Sequence, residues 1–279
     1  MIPSMGGTEI GDFLRTEAAR VKPDQCIVEL GVFLGAGTVQ LSQGADQQVP
    51  IFCYDRFEAR NHEIEIAAKF GVGLTFGEDT LPRVQKTVSD DRVFLHKGLI
   101  QDIKEFCGPK IGLFVDDVCK RKELFLHAMD LFSPWWIPGE TVVLLMDFWY
   151  FTKKPNDPAL KFQHDFMLEH AECFEPIQKR FFGLSCAAFR YLGGLDSHRN
   201  RVSKKRTICE VLREINDLHQ TGSEDDEKVR ELLREAQDMG KRMSRKLLHY
   251  NKEVFKDWWE ENQDYEADLR RRMDENYIE

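Results

Sequence analysis

The stretch Ile27-Val28-Glu29-Leu30-Gly31-Val32-Phe33-Leu34-Gly35-Ala36-Gly37-Thr38 constrains this chain most. An apolar run closes on an acid and a glycine. After three more residues a Gly-Ala-Gly-Thr turn enters a helical pattern. This reads as a strand feeding a helix through a glycine-relaxed loop, where bare backbone can approach a ligand that a Cβ would obstruct. A second apolar run, Val49-Pro50-Ile51-Phe52-Cys53-Tyr54, closes on Asp55. A carboxylate there can accept hydrogen bonds from both hydroxyls of a ribose. Together the two segments point to a nucleoside-binding crevice at the carboxyl ends of parallel strands.

The glycine spacing differs from the dinucleotide fingerprint, in which Gly-x-Gly-x-x-Gly opens a helix toward a pyrophosphate. Glu29 stands before the first glycine, where it would repel an anion and favour a ligand bearing an ammonium group. A nicotinamide-dependent oxidoreductase is thereby disfavoured.

Further strands are expected at 92–96, 111–117 and 140–147, the last two again closing on aspartate, at Asp116-Asp117 and Asp147. Helical patterns at 8–21, 61–70, 120–132 and 159–173 alternate with them, and two final strands fall near 174–179 and 185–192. Alternation of this kind predicts an α/β fold with a doubly wound, mostly parallel sheet. The catalytic unit is expected over 1–194, followed by a charged α-helical extension over 195–279. In that extension Val229, Leu232, Leu233, Ala236, Met239, Met243, Leu247, Tyr250, Val254 and Trp258 form one stripe at helical spacing. The stripe suggests packing on its own domain, or self-association into a homo-oligomer.

A net charge of −9 argues against a nucleic-acid partner. Seven cysteines are scattered without a CxxC pair, which disfavours zinc and favours a reducing compartment. With no leader-like N-terminus and no apolar run approaching the roughly 18 residues of a membrane span, a soluble cytoplasmic protein is expected.

The Glu-x-Gly-x-x-x-Gly-x-Gly-Thr pattern, with Asp55 after the next strand, resembles the first motif of class I S-adenosylmethionine-dependent methyltransferases. Within that class, Val28–Phe33, Tyr54-Asp55-Arg56-Phe57-Glu58 and His96-Lys97-Gly98 are similar to the macrocin O-methyltransferase group and its cephalosporin hydroxylase-like relatives. The resemblance extends over about residues 5–192. It implies S-adenosylmethionine as cofactor and a sheet closed by an antiparallel hairpin. It further implies that Glu29, Gly31, Gly35, Gly37 and Thr38 surround the methionine part and that Asp55 holds the ribose. Arg56 and Phe57 would flank the adenine and Gly98 would border it.

In that group an Asp after the fourth strand and an Asp-Asp pair after the fifth bind a metal. Asp116 matches the first position, but Met146-Asp147-Phe148 stands where two adjacent acids are expected. Mg²⁺ on Asp116 and Asp147 would therefore lack a ligand, and without it Asp116 or Asp147 is left as general base. Asp117 reads equally as a helix cap. His62 and His164 are further candidate bases, and the aromatic run Phe148–Phe151, with Trp149 and Tyr150, could stack on an acceptor. The expected activity is O-methylation of a small-molecule or sugar/glycan hydroxyl. The alternative is a catalytically degenerate methyltransferase fold that works as a scaffold through its helical tail.

Overall fold

A computed structural model describes residues 7–154, 156–177 and 185–195. Seven strands form one sheet: β1 (Gln25–Leu30), β2 (Ile51–Asp55), β3 (Val93–Lys97), β4 (Lys110–Asp116), β5 (Val142–Leu145), β6 (Phe174–Pro176) and β7 (Ala187–Tyr191). Their order is β3-β2-β1-β4-β5-β7-β6. The first five strands run parallel, β7 lies antiparallel to β5, and β6 pairs antiparallel with β7. This is a Rossmann-like, doubly wound α/β fold with an antiparallel hairpin at one edge. The strand order reverses between β1 and β4, which puts a ligand crevice outside their carboxyl ends.

Among the described residues six α-helices accompany the sheet: α1 (Gly7–Ala18), α2 (Ala36–Gly44), α3 (Asn61–Lys69), α4 (Leu81–Val88), α5 (Lys122–Phe132) and α6 (Phe162–Glu169). In α1, Ile10, Phe13, Leu14 and Ala18 recur at steps of three and four and are buried with Leu41 of α2. They share a core with Ile27, Ile51, Leu113 and Val115, one alternating set of strand side chains. The other set faces α5: the ring of Phe132 lies 5.4 Å from Phe114 and 5.6 Å from Tyr54. Central strands covered on both faces explain why β1 and β4 read as continuous apolar runs.

Two elements differ from expectation. The helix α4 had no strong sequence signal, because Val84 is its one buried residue and Pro82 stands in its first turn. The helix expected over 159–173 is broken into a 3₁₀ turn at Pro158–Lys161, the short α6, and a second 3₁₀ turn at Ala171–Cys173. Between β3 and β4 there is a single 3₁₀ turn, Ile100–Asp102, where a longer covering helix would shield β2 and β3. Phe94 is consequently 46% exposed, and a groove remains on that face. Among the described residues no helix is long and apolar enough to cross a membrane. The helical extension and its apolar stripe lie outside the described residues.

Candidate active site

The turn from β1 into α2 is built on Gly31 (φ +90°) and Gly35 (φ +87°), the latter in left-handed conformation directly before α2. Glu29 lies buried beneath this turn. Its carboxylate accepts hydrogen bonds from Thr38 Oγ1 at 2.6 Å and Cys53 Sγ at 3.3 Å, tying β1 to the first turn of α2 and to β2. Burial raises its pKa to about 7, against the lowering effect of those two hydrogen bonds.

The glycines of the turn face protein. A Cβ at Gly37 would lie 2.7 Å from Glu29 Oε1, and one at Gly31 2.7 Å from Val118 Cγ2. At Gly35 it would meet Val88 and Val84 at 3.2 and 3.3 Å. Their side-chain directions are occupied by the protein's own packing. Gly98 is different, since a Cβ there meets nothing within 4 Å.

Asp55 ends β2 and fastens two loops. Its Oδ2 accepts the backbone N–H groups of Val32 at 2.7 Å and Phe33 at 3.1 Å, and its Oδ1 accepts that of Phe57 at 2.7 Å. Phe33 (φ 51°) and Phe57 (φ 48°) occupy the left-handed region, uncommon for bulky residues. Arg56 turns toward α3, donating to Glu63 Oε1 at 2.6 Å and to the Glu58 carbonyl at 3.2 Å. Beside Asp55 a groove of about 320 Å³ is lined by Phe52, Tyr54, His96, Gly98 and Phe106. Tyr54 and His96 stack with centroids 4.7 Å apart, and burial lowers the His96 pKa. The Gly98 N–H donates to the Asp55 carbonyl at 2.9 Å, joining the groove to the turn.

At the rim of β4, Asp116 is 1% exposed. Its Oδ1 accepts the N–H groups of Val118 and Cys119 at 2.9 and 2.8 Å, and its Oδ2 accepts Gln163 Nε2 at 3.3 Å. Burial raises its pKa while those amides oppose the rise. Asp116 therefore fixes the turn after its strand, with both oxygens engaged. Asp147 accepts from Ser185 Oγ at 3.0 Å through Oδ1 and pairs through Oδ2 with Lys120 Nζ. The same ammonium lies 3.9 Å from Asp117 Oδ1. Burial raises the Asp117 pKa, with Lys120 opposing and Asp147 and Asp116 adding to it. Burial pulls the Lys120 pKa down, but Asp117 and Asp147 outweigh it and the net shift is upward.

His62 is exposed in the first turn of α3. His164 is buried against the rings of Phe148, Trp149 and Phe151 at 5.5, 5.2 and 5.1 Å, and its Nδ1 lies 3.1 Å from Asp165 Oδ1. Burial lowers its pKa. Phe148 and Trp149 are themselves buried, while Tyr150 is half-buried. Lys120, Gln163 and Ser185 escaped sequence reasoning. The i,i+3 spacing of Asp117 and Lys120 was the one local clue.

Mg²⁺ fits this donor set poorly. Among the described residues no group of three or more His, Cys, Asp or Glu side chains is placed to hold a metal ion. The oxygens of Asp116 are taken by amides, and those of Asp147 by Ser185 and Lys120.

No protein-family model matches the chain, and no curated protein does. Solved structures with a similar fold include cofactor-bound Rv0187 from MTB, at 16% identity and a TM-score of 0.47, covering 69% of this chain and 84% of that one. A second is the O-methyltransferase TomG from Streptomyces achromogenes, involved in tomaymycin synthesis and bound to SAM. It is 17% identical with a TM-score of 0.45, covering 66% of this chain and 79% of that one. SAH-bound methyltransferase PaMTH1 from Podospora anserina is 14% identical with a TM-score of 0.43, covering 65% and 77%.

Proposed function

We propose that this chain is an S-adenosylmethionine-dependent O-methyltransferase acting on a hydroxyl of a small molecule or glycan. One observation carries the reading: Asp55 holds the amides of the β1–α2 turn at 2.7 and 3.1 Å, next to an aromatic groove whose end is left open by Gly98. The residues fit the cofactor. Asp55 stands where an acid meets a ribose, the groove offers Tyr54, His96 and Phe106 to a planar base, and its volume of about 320 Å³ is that of a small-ligand site. Glu29 and Thr38 support the turn from below, and the backbone from Gly31 to Gly35 borders the methionine part.

When bound, S-adenosylmethionine supplies a methyl group on a sulfonium centre, which an oxygen nucleophile displaces in line. The chain must hold the acceptor hydroxyl and take its proton. Asp147 is the base in this reading, because its side chain is 21% exposed while Asp116 is sealed and saturated. Tyr150 lies three residues beyond Asp147, half-buried at the entrance to the next segment, where it borders the acceptor. The negative net charge supports a small acceptor over a nucleic acid, and the stripe over 229–258 supports a homodimer formed through the extension.

Calorimetric titration with S-adenosylhomocysteine tests the assignment. The wild-type chain should bind it, and Gly98→Leu, whose side chain enters open space at a φ of +158° that strains any residue but glycine, should bind at least tenfold more weakly, with its melting temperature read alongside to separate strain from a filled groove. No binding by the wild-type chain would leave the scaffold reading in its place.

A further inference from the structure

The carboxyl ends of β4 and β5 bring Asp117, Asp147 and the ammonium of Lys120 together, with Asp116 behind them. A divalent cation at this rim would need several carboxylate oxygens with free lone pairs. Asp116 spends its oxygens on two backbone amides and on Gln163. Asp147 spends one on Ser185 and the other on Lys120. The place between Asp147 and Asp117 is filled by Lys120 Nζ, which pairs with the first and stands 3.9 Å from the second.

We infer that Lys120 holds the position of a divalent cation in this site, so that its ammonium is the site's fixed positive charge and no metal is taken up there. The assignment of position stands on geometry alone, and its catalytic meaning rests on the methyltransferase reading. An ammonium has three N–H donors. One is engaged by Asp147, Asp117 Oδ1 lies at 3.9 Å, beyond hydrogen-bond length, and the side chain is 41% exposed, which leaves a donor for an oxygen of the acceptor. Lys120 is thus a positioning residue: it steadies Asp147 beside the acceptor hydroxyl and orients that hydroxyl's oxygen. A metal could enter only by displacing the ammonium, which would be left beside the incoming dication.

Mn²⁺ titrated into the full chain, with the free ion read by electron paramagnetic resonance, tests the inference. Wild type and Lys120→Arg should leave the ion free into the millimolar range. Lys120→Met, which removes the charge and leaves Asp117 and Asp147 facing each other, should bind Mn²⁺ at least tenfold more tightly. The gain should vanish in Lys120→Met combined with Asp147→Asn. Equal Mn²⁺ affinity in wild type and Lys120→Met, whether tight or undetectable, overturns the inference. So does stoichiometric binding to wild type that Asp147→Asn abolishes. Lys120→Gln replaces Lys120→Met in the same measurement should the latter not fold. Calorimetry with S-adenosylhomocysteine on the same samples separates the two conclusions. A chain that excludes Mn²⁺ through Lys120 but binds no S-adenosylhomocysteine keeps the cation assignment and loses the methyltransferase reading.

Discussion

Asp55 at the end of β2 accepts the backbone N–H of Val32 at 2.7 Å, across the switch from β1 into its glycine turn. With Phe33 and Phe57 also bound, this carboxylate holds two loops that each contain a left-handed phenylalanine. Asp55→Ala strands three amides and should cost about 1–3 kcal/mol. Asp55→Asn keeps an acceptor on the same side chain and should cost less. Urea denaturation of the three proteins measures both, and equal stability would mean that the loops hold without the clamp.

Gly35→Ala should lower stability and cofactor affinity together. The added Cβ meets Val84 and Val88 of α4 at 3.2–3.3 Å and sits at a φ of +87°, so about 1–3 kcal/mol should be lost from the fold. Affinity for S-adenosylhomocysteine should fall because the turn shifts. An unchanged melting temperature with lost binding would favour the picture of a glycine that clears space for the ligand.

Strand ends were legible in the sequence because buried parallel strands leave apolar runs, and an acid closing such a run marks the rim. The pairings that define the rim were not legible. Gln163 reaches Asp116 across 47 residues and Ser185 reaches Asp147 across 38, so no local pattern records either contact. Asp55 was read as a ribose acceptor on position alone. Its bonds to Val32 and Phe33 arise only when β1 and β2 pair. The helix α4 was invisible because it is only eight residues long and carries Pro82 in its first turn, so Leu81, Val84 and Val88 span too short a window to stand out.

The rim acids should separate by what their replacement does. Asp116→Ala leaves the amides of Val118 and Cys119 and the Gln163 amide without their acceptor, and should cost about 3 kcal/mol or more. Asp147→Asn breaks a partly exposed pair with Lys120, worth under about 1 kcal/mol, yet should slow turnover about 100-fold or more as a lost general base does. Denaturation curves and single-turnover rates on a panel of hydroxyl acceptors give the two readouts. Wild-type rates in Asp147→Asn would move the chemistry to another group.

We expect the full chain to sediment as a dimer and a truncation ending at Leu195 to sediment as a monomer that still binds S-adenosylhomocysteine. The apolar stripe from Val229 to Trp258 spans about 45 Å if helical at 1.5 Å per residue, a length that calls for a partner surface. A monomeric full chain at high concentration defeats the dimer.

Glu29 supplies a pH dependence whose sign follows from its burial. Its ordinary pKa is 4.5 and burial raises it to about 7 in the folded chain, so between those values the folded state holds a proton that the unfolded state has released. Its contribution to stability is complete below pH 4.5 and is lost as pH rises through 7. At 1.36 kcal/mol per unit the loss approaches about 3 kcal/mol. Gln at this position keeps an acceptor for Thr38 and cannot ionise. Asp116 and Asp117 are shifted in the same direction by their own burial, which is common to both proteins, while the part of the Asp117 rise that comes from the Glu29 charge is present in wild type alone and adds to the fall. The stability of wild type minus that of Glu29→Gln, measured by urea denaturation from pH 4 to 8.5, should therefore be highest near pH 4, fall between about pH 4.5 and 7 and level off above that. A difference that stays flat across the range would show that Glu29 takes up its proton in the folded chain as it does in the unfolded one, with Thr38 and Cys53 offsetting its burial.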